Sequence, residues 1–251
     1  MKHLILYIII SFTFLQHANS QIDCVLDSTK RQRITTPNLP NAYTCYMEMT
    51  RGKTPRWGTG FLIHPRVLLT AGHNFAWYPS GSVNTVKLYF GSIDSVTYLA
   101  SDTISLVEGV NKFYNSGYWV NGKIKNDYSI IILPDSSLYK KIGSCYSVNA
   151  IGLTQSIPNP IHITGSPGGK DLFEMWTDST NSVENKGSYI RYDLFTAVRN
   201  SGSPIWIKTQ NGYQAIGIHS RSYGNCTAAV LINQDVINQI KEWCGKANVK
   251  F

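Results

Sequence analysis

The apolar residues of this chain come in short runs, broken by Gly, Ser, Asn and Pro, and that punctuation limits its fold more than any other feature. Strand-like segments read at 43–50, 58–69, 83–90, 97–107 and 128–133, and again at 147–153, 161–165, 189–194, 204–208, 213–219 and 228–232. Runs of this length, rich in Val, Ile, Tyr and Phe, are too short for helices that must bury a stripe, and their regular spacing fits an all-β barrel or sandwich. No helical period of useful length appears until the end. There Asp235 can cap a helix that carries Val236, Ile237, Ile240, Trp243 and Cys244 on one face. Residues 134–147 are polar and partly basic, and read as a linker between two halves.

A chain of 251 residues with 43% hydrophobic and 12% aromatic content can fill one large domain or two small barrels. Its formal charge of +8 is spread thinly, since only 15% of residues are charged and no long Lys/Arg run occurs. That argues for a basic solvated surface and against nucleic-acid binding. Met1-Lys2-His3, the apolar stretch 4–15 and Ala18-Asn19-Ser20 form the three parts of an export signal, with cleavage expected before Gln21. The expected product is a secreted monomer with no membrane attachment. Five cysteines, Cys24, Cys45, Cys145, Cys226 and Cys244, then suggest disulfides with one thiol left over. They contain no CxxC pair, so neither a metal site nor a cofactor is expected.

Three stretches carry chemistry. In 192–206, Y-D-L-F-T-A-V-R-N-S-G-S-P-I-W, Ser201 sits in a turn where Gly202 leaves its hydroxyl uncovered and successive backbone N–H groups can converge. Alone, N-S-G-S-P is a weak signal, because such clusters mark ordinary turns far more often than active sites. Leu68-Leu69-Thr70-Ala71-Gly72-His73 runs an apolar strand into a small-residue turn and a histidine, and Asn126-Asp127 places one carboxylate before Tyr128-Ser129-Ile130-Ile131-Ile132-Leu133. A serine hydroxyl needs a base to take its proton and N–H donors for the oxyanion that then forms, and a base needs an orienting acceptor. Ser201, His73 and Asp127 are of the right types for these roles.

T-A-G-H, N-D-Y-S-I-I-I-L and N-S-G-S-P resemble the triad segments of the trypsin-like serine endopeptidases. Y-D-L-x-T before Asn200, G-S-P-G-G-K with Met175-Trp176 after it, and A-I-G-I-H followed by A-V-L-I-N resemble the glutamyl endopeptidase branch. The similarity runs from about Arg31 to Trp243.

The resemblance implies two antiparallel β-barrels with a C-terminal α-helix: a signal at 1–20, an N-terminal segment open to processing at 21–33, a first barrel at 34–140, and a second barrel with the helix at 141–251. It implies hydrolysis of protein or peptide substrates through an acyl-enzyme, with Ser201 as nucleophile, His73 as general base and Asp127 as its orienter. The oxyanion donors would be the backbone N–H groups of Arg199 and Ser201, with Ser203 only shaping the turn. Thr196 and His219 stand where that branch binds the substrate carboxylate, and Phe195 stands where proteases that cut after Lys or Arg carry Asp. Cleavage after Glu is therefore expected, with Arg221 adding positive potential. Val198-Arg199 replace two glycines of that branch, which leaves a catalytically silent binding module, or an active protease of other specificity, as the alternatives. Arg199 would crowd the leaving-group side of the cleft. Spatial plausibility in the resembled fold pairs Cys24 with Cys145 and Cys226 with Cys244. Lys30-Arg31-Gln32-Arg33 could be cut to expose Ile34, but Asn200 offers no charge to pair with a new terminus. His64 is expected at the surface.

Overall fold

The computed structural model describes residues 22–51, 54–76, 83–106, 113–116 and 123–251. The export signal and its cleavage site before Gln21 lie outside these residues. The chain enters through β1 (Gln32–Arg33), which joins the second of two sheets. The first sheet holds β2 (Thr44–Arg51), β3 (Thr54–His64), β4 (Val67–Thr70), β5 (Thr85–Phe90), β6 (Ala100–Ser105), β7 (Phe113–Asn115) and β8 (Ser129–Ile132). Their order is β6-β5-β2-β3-β4-β8-β7, antiparallel throughout.

The second sheet adds β9 (Ser147–Val148), β10 (Ile161–Gly165), β11 (Trp176–Thr180), β12 (Val183–Asn185), β13 (Tyr189–Tyr192), β14 (Pro204–Thr209), β15 (Gly212–Tyr223) and β16 (Cys226–Leu231). Its order is β1-β11-β10-β14-β15-β16-β13-β12, with β9 running parallel beside β15. This is the all-β architecture expected from the punctuation.

The strands arise from local pattern. In β5, Val86, Leu88 and Phe90 face the core while Thr85, Lys87 and Tyr89 alternate outward, and Lys87 Nζ meets Glu48 of the neighbouring strand at 3.0 Å. By contrast, β4 and β8 are buried at every position, as strands covered on both faces must be. Thr70 pairs with Ser129 at one end of the β4–β8 ladder, and this register makes the residues just after β4 and just before β8 emerge side by side.

Among the described residues, helices form at α1 (His73–Ala76), α2 (Ser137–Ile142) and α3 (Gln234–Lys246). The stretch read as a plain linker thus contains α2, which stops where Gly143 takes φ 89° and donates its N–H to Tyr139 O. The cap of α3 is Asn233, not Asp235: the Asn233 side chain accepts the Val236 N–H, and Asp235 falls in the first turn. Val236, Ile237, Ile240, Trp243 and Cys244 are all buried, and the helix packs into the core shared by Tyr128, Ile130 and Val230. Among the described residues no helix is long and apolar enough to cross a membrane.

The cysteine pairing differs from the expected scheme. Cys24 bonds Cys226, and Cys45, Cys145 and Cys244 are free thiols. The N-terminal segment lies along the second sheet, which brings Cys24 to the start of β16. Cys244 is instead held in the helix core. That segment is built in rather than loose: Arg33 pairs with Glu174 at 2.8 Å, and Ile34 is buried with its N–H on Met175 O at 2.9 Å. His64 is half-buried rather than at the surface, its Nδ1 accepting the Arg66 N–H at 3.2 Å.

Candidate active site

His73 opens α1 directly after β4, and Asp127 ends the short turn Ile124–Asn126 directly before β8, so the β4–β8 register brings them together. Asp127 accepts the backbone N–H of His73 at 2.8 Å and lies 2.7 Å from its Nδ1. The carboxylate is fully buried, which pushes its pKa up, but the hydrogen bonds and charge of His73 and the bond from Ser220 outweigh that burial and leave it below the ordinary value.

Ser220 is a group that sequence reading missed. Its hydroxyl donates to Asp127 Oδ2, the same oxygen that faces His73. A signal exists only in the pairing: His219 opposes Ala229 and Arg221 opposes Ala228, so Ser220 is the extra residue of a β-bulge. In a regular strand neighbouring side chains face opposite ways, whereas both His219 and Ser220 are buried here.

Ser201 reaches the site from the other sheet. The turn before β14 is laced internally by Asn200 N–H to Ala197 O at 3.1 Å, Ser203 N–H to Asn200 O at 2.9 Å, and Ala197 N–H to Asn200 Oδ1 at 3.2 Å. It is tied to β15 by Gly202 N–H to His219 O and His219 N–H to Ser203 O, both 2.8 Å. Across the cleft, Ser201 O accepts Thr59 N–H and the Nδ2 of Asn74, each at 3.0 Å. Asn74 is the chain neighbour of His73, so the turn is anchored beside the histidine. Gly202 makes that approach possible: at φ 87°, a Cβ there would stand 2.1 Å from Thr59 O and 2.2 Å from Thr70 Oγ1.

Arg199 takes φ 77°, so the turn adopts the left-handed conformation despite carrying a side chain. Its guanidinium is turned onto loop 166–170, where Nη2 donates to Pro167 O and Lys170 O, both at 2.6 Å. Among the described backbone hydrogen bonds of the turn, Asn200, Gly202 and Ser203 donate, while the N–H groups of Arg199 and Ser201 do not.

Thr196 lies half-buried in the segment leading to Ser201, and His219 is buried with its Nδ1 2.6 Å from Tyr192 Oη. Burial, then the neighbouring His73, lower the His219 pKa to about 3 against the opposing pull of Asp127, so its ring is neutral across the ordinary pH range. Tyr192 stays protonated, burial holding its pKa well above 10. Phe195 carries the Arg31 guanidinium over its ring at 4.6 Å, a contact that sequence alone did not suggest. Arg221 lies further out, lining a hollow of about 320 Å³ with Lys123, Lys125, Tyr189 and Tyr223.

No family model matches the sequence. The chain is similar to the extracellular metalloprotease of Bacillus subtilis (strain 168), 27% identical over 227 residues, covering 87% of this chain and 64% of the relative. It is also similar to the glutamyl endopeptidase of Staphylococcus aureus (strain MW2), 26% identical over 231 residues, 90% of this chain and 65% of the relative. The chain thus spans less than two thirds of the length of these curated relatives. Among solved structures, a Glu endopeptidase in complex with MPD superposes with a TM-score of 0.69 at 24% identity, over 85% of this chain and 95% of that one. The protease Anisep from Arthrobacter nicotinovorans gives 0.65 at 14%, over 84% and 99%. The fold is that of the trypsin-like, chymotrypsin-fold proteases. Within that class, the resemblance of this chain is to the glutamyl endopeptidases. Although one relative is named a metalloprotease, no group of three His, Cys, Asp or Glu placed to hold a metal ion occurs among the described residues.

Proposed function

We propose that this protein is an exported serine endopeptidase that cleaves after Glu through Ser201, His73 and Asp127. The observation that carries the reading is the buried Asp127 carboxylate, which orients His73 Nδ1 while the Ser201 turn, from the other sheet, is bonded to the residue next to that histidine. With Nδ1 facing Asp127, the other ring nitrogen takes the Ser201 proton as the hydroxyl attacks the scissile carbonyl, and returns it to the leaving amine. The N–H groups of Arg199 and Ser201 receive the oxyanion, and water then hydrolyses the acyl-enzyme by the same proton route.

An acidic preference is supported by three features. Tyr192 Oη lies 2.6 Å from His219 Nδ1, and with the phenol O–H as donor the ring proton sits on Nε2, which makes the neutral imidazole a donor there. Thr196 offers a hydroxyl on the segment leading to the nucleophile, and Arg31 brings a cation onto Phe195 beside it. A carboxylate that loses water in such a pocket is held by charge-assisted hydrogen bonds. Export accords with the signal-like 1–20 stretch and the Cys24–Cys226 disulfide.

Two assays test this in sequence. A fluorophosphonate should label Ser201, and a wild type that resists labelling would make it a silent binding module. Matched peptides with Glu or Gln at the cleaved position then test specificity at pH 7 to 8, where equal cleavage would refute the glutamyl assignment. His219→Ala should lower kcat/KM for the Glu peptide by about 2–3 kcal/mol, the scale of a lost hydrogen bond to a charged group, with a smaller effect on the Gln peptide.

A further inference from the structure

Arg199 occupies a position that demands positive φ, and its side chain is bonded where it can justify that conformation. Gly168 N–H donates to Val198 O at 2.5 Å. The two carbonyls that receive the Arg199 guanidinium, Pro167 O and Lys170 O, lie on either side of Gly168. In a planar trans peptide the carbonyl and the following N–H point in opposite directions, so the bond that fixes Val198 O also aims the Arg199 N–H. The Arg199 carbonyl is fixed separately, accepting Thr59 Oγ1 at 2.9 Å, and Thr59 Oγ1 also accepts Ser166 N–H at 3.2 Å. Loop 166–170 and the nucleophile turn are therefore joined at several points around one peptide plane. Gly168 permits the contact, because a Cβ there would stand 2.2 Å from Val198 Cγ2 and 3.0 Å from Val198 O.

We propose that the Arg199 side chain is a positioning residue for oxyanion stabilisation: by clamping the carbonyls around Gly168 it holds the Val198–Arg199 peptide with its N–H facing the reacting carbonyl. A glycine at this position would reach the same φ without strain but would lack the guanidinium that ties this peptide to Pro167 O and Lys170 O, leaving only the Gly168 and Thr59 bonds to hold it. Here the strained φ of an L-residue is offset by two charge-assisted bonds from its own side chain. The assignment rests on the catalytic reading of Ser201 for its kinetic consequences, but the clamp itself is a statement about conformation.

The test uses the full exported protein with Arg199→Ala, Arg199→Lys and Gly168→Ala. For Arg199→Ala, kcat on a Glu peptide should fall about 10- to 100-fold, a substantial part of what loss of one oxyanion donor costs, with KM within about twofold of wild type. Affinity for a peptide aldehyde, whose adduct carries the oxyanion, should fall in parallel with kcat, while product-peptide affinity stays the same. Arg199→Lys should fall between, and Gly168→Ala should reproduce the pattern. Unchanged kcat in Arg199→Ala, or lost kcat with aldehyde affinity intact, would overturn the proposal. A crystal structure of Arg199→Ala reads the clamp even in a protein that cleaves nothing: a rotated 198–199 peptide with the Gly168–Val198 bond broken supports it, and an unchanged plane overturns it. Failure of wild-type labelling would count against the catalytic reading alone.

Discussion

His219 should make this protein sensitive to mild acid through its burial, independently of any catalysis. In the folded chain its pKa is about 3, whereas an unfolded imidazole titrates near 6.5. The groups facing it are Tyr192, which bonds Nδ1, His73, which opposes a positive charge, and Asp127, which favours one. Because the folded value is depressed, the unfolded chain binds the proton first, and stability falls as pH drops from about 6.5 toward 3. The linkage relation gives a loss of about 2 kcal/mol between pH 7 and 5 and about 3 kcal/mol between pH 7 and 4 from this residue. Urea unfolding of oxidised protein at a series of pH values measures it. His219→Gln, which keeps an acceptor for Tyr192 but cannot titrate, should flatten the pH dependence by those amounts whatever its stability at pH 7. The two other histidines with lowered pKa, His64 and His162, are present in both proteins and cancel in the difference. Equal slopes for wild type and His219→Gln from pH 6.5 to 4 would refute the reasoning.

Asp127 should add a second acid transition. Its folded pKa lies below the unfolded value of about 3.9, so its contribution is complete above that value and is lost as pH falls through the lowered one; Asp127→Asn should remove this step from the same titration. Ser220→Ala removes one hydrogen bond to Asp127 and should reduce kcat about tenfold with KM little changed; a change confined to KM would argue against an orienting role. Gly202→Ala forces a Cβ to within 2.2 Å of both Thr59 O and Thr70 Oγ1 and should cost more than about 3 kcal/mol of stability along with all labelling by fluorophosphonate, so a stable, labelled variant would contradict the described turn. Cys24→Ser should destabilise by about 2–5 kcal/mol, since the Cys24–Cys226 bond spans 202 residues, and non-reducing peptide mapping should recover that pair.

The sequence by itself determined the all-β class, because short apolar runs broken by turn residues leave no long helical stripe to bury until Val236 and its neighbours. It also offered the residue types of the candidate site. T-A-G-H, N-D-Y-S and N-S-G-S-P each place a chemically competent side chain at the end of a strand, and strand ends are where a β-fold presents side chains without needing them for its core. What it did not determine are the features set by register and by contacts between distant segments. Ser220 reaches Asp127 because a bulge turns two consecutive side chains to the same region, and a bulge depends on the partner strand. Cys24 meets Cys226 rather than Cys145 because the N-terminal segment runs along the second sheet, a choice made by β1 pairing with β11. Asn233 caps the last helix ahead of Asp235 because the strand β16 ends two residues earlier. The meaning of Val198-Arg199 also lay beyond the chain order: in sequence they are two side chains in place of glycines, and only the fold brings Pro167 and Lys170 within reach of the guanidinium that accompanies their unusual backbone. Local pattern fixes which segments are strands, but pairing across the chain decides which of their neighbours meet.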